Sequence, residues 1–235
     1  MRDIVLLHGG SHGSWCWRDF LPALNRAGHS GQVLALDMPG CGTKRGQANQ
    51  TQSIADIAQH LVDEVAQANL NSPLLIGHSI GGILLPYMAP AFDHVCYLAA
   101  SMPTIGQSIT EMMGTSLRGI DPTVIGWPVE GSMAERFHAM FGPDIDPAVF
   151  AWMMSEIAQD VHPACLNSEA ITRQSTPGIA TSYIAAQRDP ILPPVWQGRF
   201  AERVGARDVY EIDAPHEPFL SHPDLLAELV VGRLV

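Results

Sequence analysis

Residues 74–82 read LLIGHSIGG, a serine set among glycines where an apolar run ends. In Gly77-His78-Ser79-Ile80-Gly81 the hydroxyl falls on a tight strand-to-helix turn, with small residues two before and two after it. Such a turn presents Ser79 as a nucleophile, and the amide dipoles of the following helix favour negative charge there. The bland alternative is a turn that only needed flexible residues. A serine is inert until a base takes its proton, and the base needs an acid to orient it. His216 lies just past the apolar stretch DVYEID and is the expected base. Asp189, in AAQRDPILPP, lies just past the preceding strand pattern and is the expected acid; its bland reading is a turn residue before Pro190. His222, in SHPD, looks like a helix first turn. Asp213 is the second-ranked acid, because a residue so near the histidine in sequence tends to point elsewhere.

Attack on a carbonyl also needs two backbone N–H groups aimed at the developing oxyanion. One is expected from Ile80, the residue after the nucleophile. The other is expected from the loop HGGSHGSW (8–15), by spacing at Gly10, with Gly9 allowing close backbone approach. His8 and His12 have H-x-x-x-H spacing, but they flank glycines in a loop, not on a helix face. No third ligand is obvious, so no metal and no cofactor is expected.

These residues need a frame. Short apolar runs at 3–7, 32–37, 73–77, 94–100, 181–187 and 208–213 read as strands covered on both faces. Between them lie helical patterns such as 53–70, where Ser53 and Asp56 form a capping pair, and a last helix from about Ser221. The alternation predicts an α/β fold with a mostly parallel sheet of about six strands. No strand pattern appears from 102 to 175. That stretch reads as a helical cap inserted into a core of 1–101 and 176–235, the alternative being ordinary packing helices beside the sheet.

The chain has 235 residues, enough for one sizeable domain, with 46% hydrophobic and 16% charged residues. A net charge of −11, with no basic patch, argues against nucleic acid and polyanionic substrates. The start MRDIVLL is too short for a signal-peptide core, and no run is long enough to span a bilayer. Cys16, Cys41, Cys96 and Cys165 are scattered, so a reducing cytoplasm is the expected location.

The stretches LLHGGSHGSWCWRDFLPALNRAGHSGQVLALDMPGCG, GHSIGG and RDPILPP, with a histidine after the last strand, together resemble the plant-type methylesterase and hydroxynitrile lyase group of the α/β-hydrolase superfamily. The resemblance is strongest over 4–42 and 73–82 and weakest in the cap. It implies the α/β-hydrolase fold, Ser79–His216–Asp189 as the triad, and Gly10 and Ile80 as oxyanion donors. Where the lyases of this group carry threonine, glutamate and lysine, this chain has Gly9, His78 and Glu217. A carboxylate after the base would repel departing cyanide, so the resemblance favours ester hydrolysis.

The expected reaction is hydrolysis of small to medium apolar esters, aryl or methyl, through an acyl-enzyme on Ser79. The expected pocket takes Gly9 and His12 from the loop and Met102, Phe137, Met140, Phe141, Trp152 and Met153 from the cap, with Trp127 among the nearby aromatics. These side chains filling the cap's own core is the equal alternative. Lactonase, amidase, C–C bond hydrolase or lyase-like activity, or a low-turnover receptor for a small molecule, would use the same residues. The expected partner is a small-molecule ester, not nucleic acid or membrane, with a homodimer left open.

Overall fold

The computed structural model describes residues 1–47, 52–113 and 131–235. Each of the six apolar runs forms a strand: β1 (Ile4–Leu7), β2 (Val33–Leu36), β3 (Leu74–His78), β4 (His94–Leu98), β5 (Ala180–Ala186) and β6 (Asp208–Ile212). All pairings are parallel, in the order β2-β1-β3-β4-β5-β6. The inner strands β1, β3 and β4 are buried along their whole length, as continuous apolar runs require. The edge strand β6 departs from that expectation: only Ile212 is fully buried, because one side of the strand has no neighbour.

Helices α1 (Phe20–Arg26), α2 (Ile54–Gln67) and α3 (Leu85–Met88) follow the first three strands. Helices α4 (Ile109–Glu111), α5 (Met133–Phe141), α6 (Pro147–Ile157) and α7 (Cys165–Ser168) lie between β4 and β5. Helices α8 (Pro194–Val204), α9 (Pro218–Ser221) and α10 (Pro223–Arg233) complete the chain. Among the described residues, 102–175 contain no strand. Ser53 and Asp56 cap α2 reciprocally, Ser53 Oγ accepting from the Asp56 amide and Asp56 Oδ2 from the Ser53 amide. Among the described residues no helix is long and apolar enough to cross a membrane.

The chain leaves β1 toward β2 on one side and leaves β3 toward β4 on the other, although β1 and β3 are hydrogen-bonded neighbours. A parallel sheet opens a crevice at the carboxyl edge where its connections diverge. The loop after β1 and the turn after β3 meet in that crevice, and glycines make the meeting close. A Cβ on Gly81 would lie 2.4 Å from the His8 carbonyl oxygen, and one on Gly9 would lie 3.0 Å from Ser79 Cβ.

Gly81→Ala is therefore expected to cost about 1–3 kcal/mol, because backbone must move to admit the methyl. Gly198, exposed within α8 and open on its outer side, should behave oppositely; alanine there is expected to add up to about 1 kcal/mol. Thermal melts of the two variants should move in opposite directions from the parent.

Candidate active site

Ser79 opens a 3₁₀ turn, Ser79–Leu84, straight after β3, with φ +52°. Few non-glycine residues hold that left-handed conformation, which costs of the order of 1–3 kcal/mol and lifts the side chain clear of the strand. Pro86 falls in the first turn of α3, where a missing N–H matters least.

The pairing of β5 with β6 brings the other two residues together. It continues past the strands, with Gln187 N donating to Ile212 O and Arg188 N to Ala214 O. Asp189 and His216 thus leave the sheet side by side. His216 Nδ1–H donates to Asp189 Oδ2 at 2.6 Å, which leaves Nε2 bare to receive the Ser79 Oγ proton at 3.0 Å. Asp189 Oδ1 accepts the Ile191 and Leu192 amides at 2.7 and 2.8 Å. Burial alone would lower the His216 pKa, but the charge and hydrogen bond of Asp189, with the charge of Glu217, outweigh it and raise it. The second-ranked residues lie elsewhere. Asp213 is exposed and bonded to Arg188, and His222 bonds Ser221 Oγ and Arg188.

The Ile80 amide begins the 3₁₀ turn and so has no partner within it. Gly10 faces it across the crevice; a Cβ on Gly10 would lie 3.2 Å from Ile80 Cγ2. His8 and His12 shape this loop. His8 Nδ1–H donates to Gly9 O and its Nε2 accepts the Met38 amide, while His12 Nδ1–H donates to Gly10 O. Burial keeps both rings neutral, His12 with its pKa lowered to about 4. Gly9 O and the Gly10 N–H belong to one planar trans peptide, so holding the oxygen on His8 points the N–H the opposite way.

His78, His216 and Glu217 bring ring nitrogens and a carboxylate oxygen within 4.8 Å of one another. His78 Nε2–H already donates to the His216 carbonyl, and both nitrogens of His216 are engaged. A cation would have to take His216 away from Ser79 or Asp189, so these donors suit proton transfer better than metal binding.

Ser79 and His216 open into a cavity of about 240 Å³. Gly9, Gly10, His12, Ile80, Phe137, Met140 and Phe141 line it, as the sequence suggests. Met102, Trp152 and Met153 do not. Met102 and Met153 are fully buried in the core, and Trp152 packs edge-on against Trp15 beneath the Arg18 guanidinium. Helix α6 is apolar on nearly every side, so its pattern does not show which face turns to the cavity. Trp127 lies outside the described residues. Ile191 and Leu192 of RDPILPP, with Ile109, Met113, His162 and Asn167, which carry no motif, complete much of the wall. Gln197 was also missed. Fully buried, it donates to Leu192 O and Asp189 Oδ2 and pairs with the Ala186 backbone, holding the Asp189 loop on β5. Its signal was a polar residue in the apolar stripe of Phe200, Ala201 and Val204.

The chain belongs to the alpha/beta hydrolase family, whose model matches residues 4–229. Within that family it is similar to the probable esterase PIR7A of Oryza sativa subsp. indica, 36% identical over 126 residues, 52% of this chain and 47% of the relative. That match thus spans about half the length of the rice protein. It is also 26% identical to methylesterase 7 of Arabidopsis thaliana over 98% of this chain and 95% of that one. Its fold is shared with polyneuridine aldehyde esterase at a TM-score of 0.76 and 21% identity, over 99% of this chain and 98% of that one.

Glu217 carries the clearest pH signature. Both its carboxylate oxygens are buried and, among the described residues, have no hydrogen-bond partner; Oε1 lies 3.7 Å from His12 Nε2. Burial, with repulsion from Asp189, raises its pKa to about 7 although His216 pulls it down. The unfolded chain releases this proton near 4.5 and the folded chain near 7. The folded state therefore holds the extra proton in that window, and stability falls as pH rises through it, by about 3 kcal/mol in all. Glu217→Gln is expected to melt with the parent near pH 4.5 but about 6–12 °C higher at pH 8. Loss of its charge should also lower the His216 pKa, moving the acidic limb of the pH–rate profile to lower pH. An unmoved limb would show that His216 does not feel that charge.

Proposed function

We propose that this chain is a cofactor-free serine hydrolase acting on carboxylic esters. The observation that carries the reading is the hydrogen-bonded series Asp189–His216–Ser79 ending at a largely apolar cavity. His216 takes the Ser79 proton, and Asp189 holds the imidazole in the required tautomer and stabilises its charged form. The alkoxide attacks the ester carbonyl. The Gly10 and Ile80 amides stabilise the tetrahedral oxyanion, each worth about 3–4 kcal/mol in comparable sites. His216 then protonates the leaving alcohol, and water repeats the sequence on the acyl-enzyme.

The described residues of 102–175 act as a cap over the described core of 1–101 and 176–235; the cavity is lined from both. Phe137, Met140, Phe141, Ile109 and Met113 favour small to medium uncharged esters with an aryl or short alkyl group. Esterase names among the relatives support the reaction class. The four cysteines are buried and unpaired, which suits a reducing cytoplasm.

A fluorophosphonate probe is expected to label Ser79 in the parent and to leave a folded Ser79→Ala variant unlabelled. A nitrophenyl ester series should be hydrolysed best at short chain lengths, with kcat/KM down at least about 10³-fold in Ser79→Ala. A folded parent that neither labels nor turns over would defeat the enzyme reading.

A further inference from the structure

Three imidazoles hold two consecutive peptide groups of the loop after β1. His8 takes the oxygen of the Gly9–Gly10 peptide, and His12 takes the oxygen of the Gly10–Ser11 peptide. The remaining N–H, that of Ser11, donates to His162 Nδ1 at 3.0 Å. His8 and His12 belong to the loop itself. His162 comes from the chain between α6 and α7 and leans over the loop, its Cε1 3.5 Å from where a Gly10 Cβ would sit.

An amide N–H can only donate, so His162 Nδ1 must be bare and the proton must sit on Nε2. Burial lowers the pKa of this ring and so favours that neutral form. Asn167 Nδ2 is placed 2.7 Å from Nε2. With the proton on Nε2 the contact is a hydrogen bond when the amide is turned so that Oδ1 accepts, the orientation that the Ser11 bond requires. Asn167 thereby fixes the ring in the tautomer that accepts from Ser11.

The ring's place is fixed by its neighbours in sequence. Asp160 accepts from Trp15 Nε1, the Gly42 amide and Arg45 Nε, and Val161 N donates to Gly40 O. Residues 160–162 are thus tied to the loops after both β1 and β2. The clamp has something to hold. Gly10 has the wide conformational freedom of glycine, and Ser11 sits at φ +59°, a strained position for a serine.

We propose that His162 is a positioning residue for ester hydrolysis: by accepting the Ser11 N–H it fixes the peptide that follows Gly10, and so the aim of the Gly10 amide at the oxyanion. The proposal rests on the reading of Gly10 as an oxyanion donor. Such aim matters in the transition state more than in substrate binding, so its loss falls on kcat and spares KM.

His162→Leu removes the acceptor, whereas His162→Asn keeps a carbonyl oxygen close to the place of Nδ1. With nitrophenyl acetate, His162→Leu is expected to lose about ten- to a hundredfold in kcat, with KM within about twofold of the parent. His162→Asn should recover most of that loss. The fluorophosphonate labelling rate should follow kcat, since phosphonylation uses the same donors. Asn167→Leu, which frees the ring without removing it, should show a smaller kcat loss and provides the test if His162→Leu does not fold. Parent-like kcat in folded His162→Leu, or in Asn167→Leu if the first does not fold, would overturn the proposal. So would equal impairment of the leucine and asparagine variants at 162. A parent that neither labels nor turns over would instead overturn the esterase reading itself, and this inference with it.

Discussion

Everything at the site depends on β1 and β3 lying side by side while their connections leave in opposite directions. Only there can the loop that carries Gly10 and the turn that carries Ser79 come within van der Waals contact. The approach is so close that the His8 carbonyl occupies the space a side chain at Gly81 would need. The backbone therefore defines the crevice, and side chains refine it. Asp189 and His216 arrive by a second consequence of parallel pairing, the continued hydrogen bonding of the chain beyond β5 and β6.

Histidines do most of the refining, and they divide by charge. Burial lowers the pKa of His8, His12, His78 and His162. Held neutral, each offers one donor and one acceptor in fixed directions. His216 is buried just as deeply, yet its pKa is raised because Asp189 stands against its Nδ1. Four rings thus act as fixed dipoles around a fifth that can accept a proton. Were the four charged, they would oppose the imidazolium that the reaction must form.

Strands β1, β3, β4 and β5 were legible in sequence because buried parallel strands are unbroken apolar runs, and the edge strands β2 and β6 kept enough of that pattern although they are less buried. Ser79, Asp189 and His216 were legible because each follows such a run, which is where a parallel sheet gathers its chemistry. The α2 start was legible because capping is local, from Ser53 to Asp56. The cavity wall was only partly legible. Phe137, Met140 and Phe141 line the cavity and Met102, Trp152 and Met153 do not, since facing is decided by what a helix packs against. His162 escaped notice because its partner Ser11 lies 151 positions away. Gln197 was in principle readable, as an amide on an apolar helix face, but its purpose appears only once the Asp189 loop folds over it.

The left-handed backbone at Ser79 also restricts the chemical alphabet open to this scaffold. A branched Cβ is strongly disfavoured at that φ. Threonine, with an equivalent hydroxyl, is therefore shut out by shape, not by reactivity. Cysteine has the unbranched geometry of serine and fits without backbone change. The elbow thus admits an oxygen-to-sulfur exchange while forbidding the addition of one methyl group.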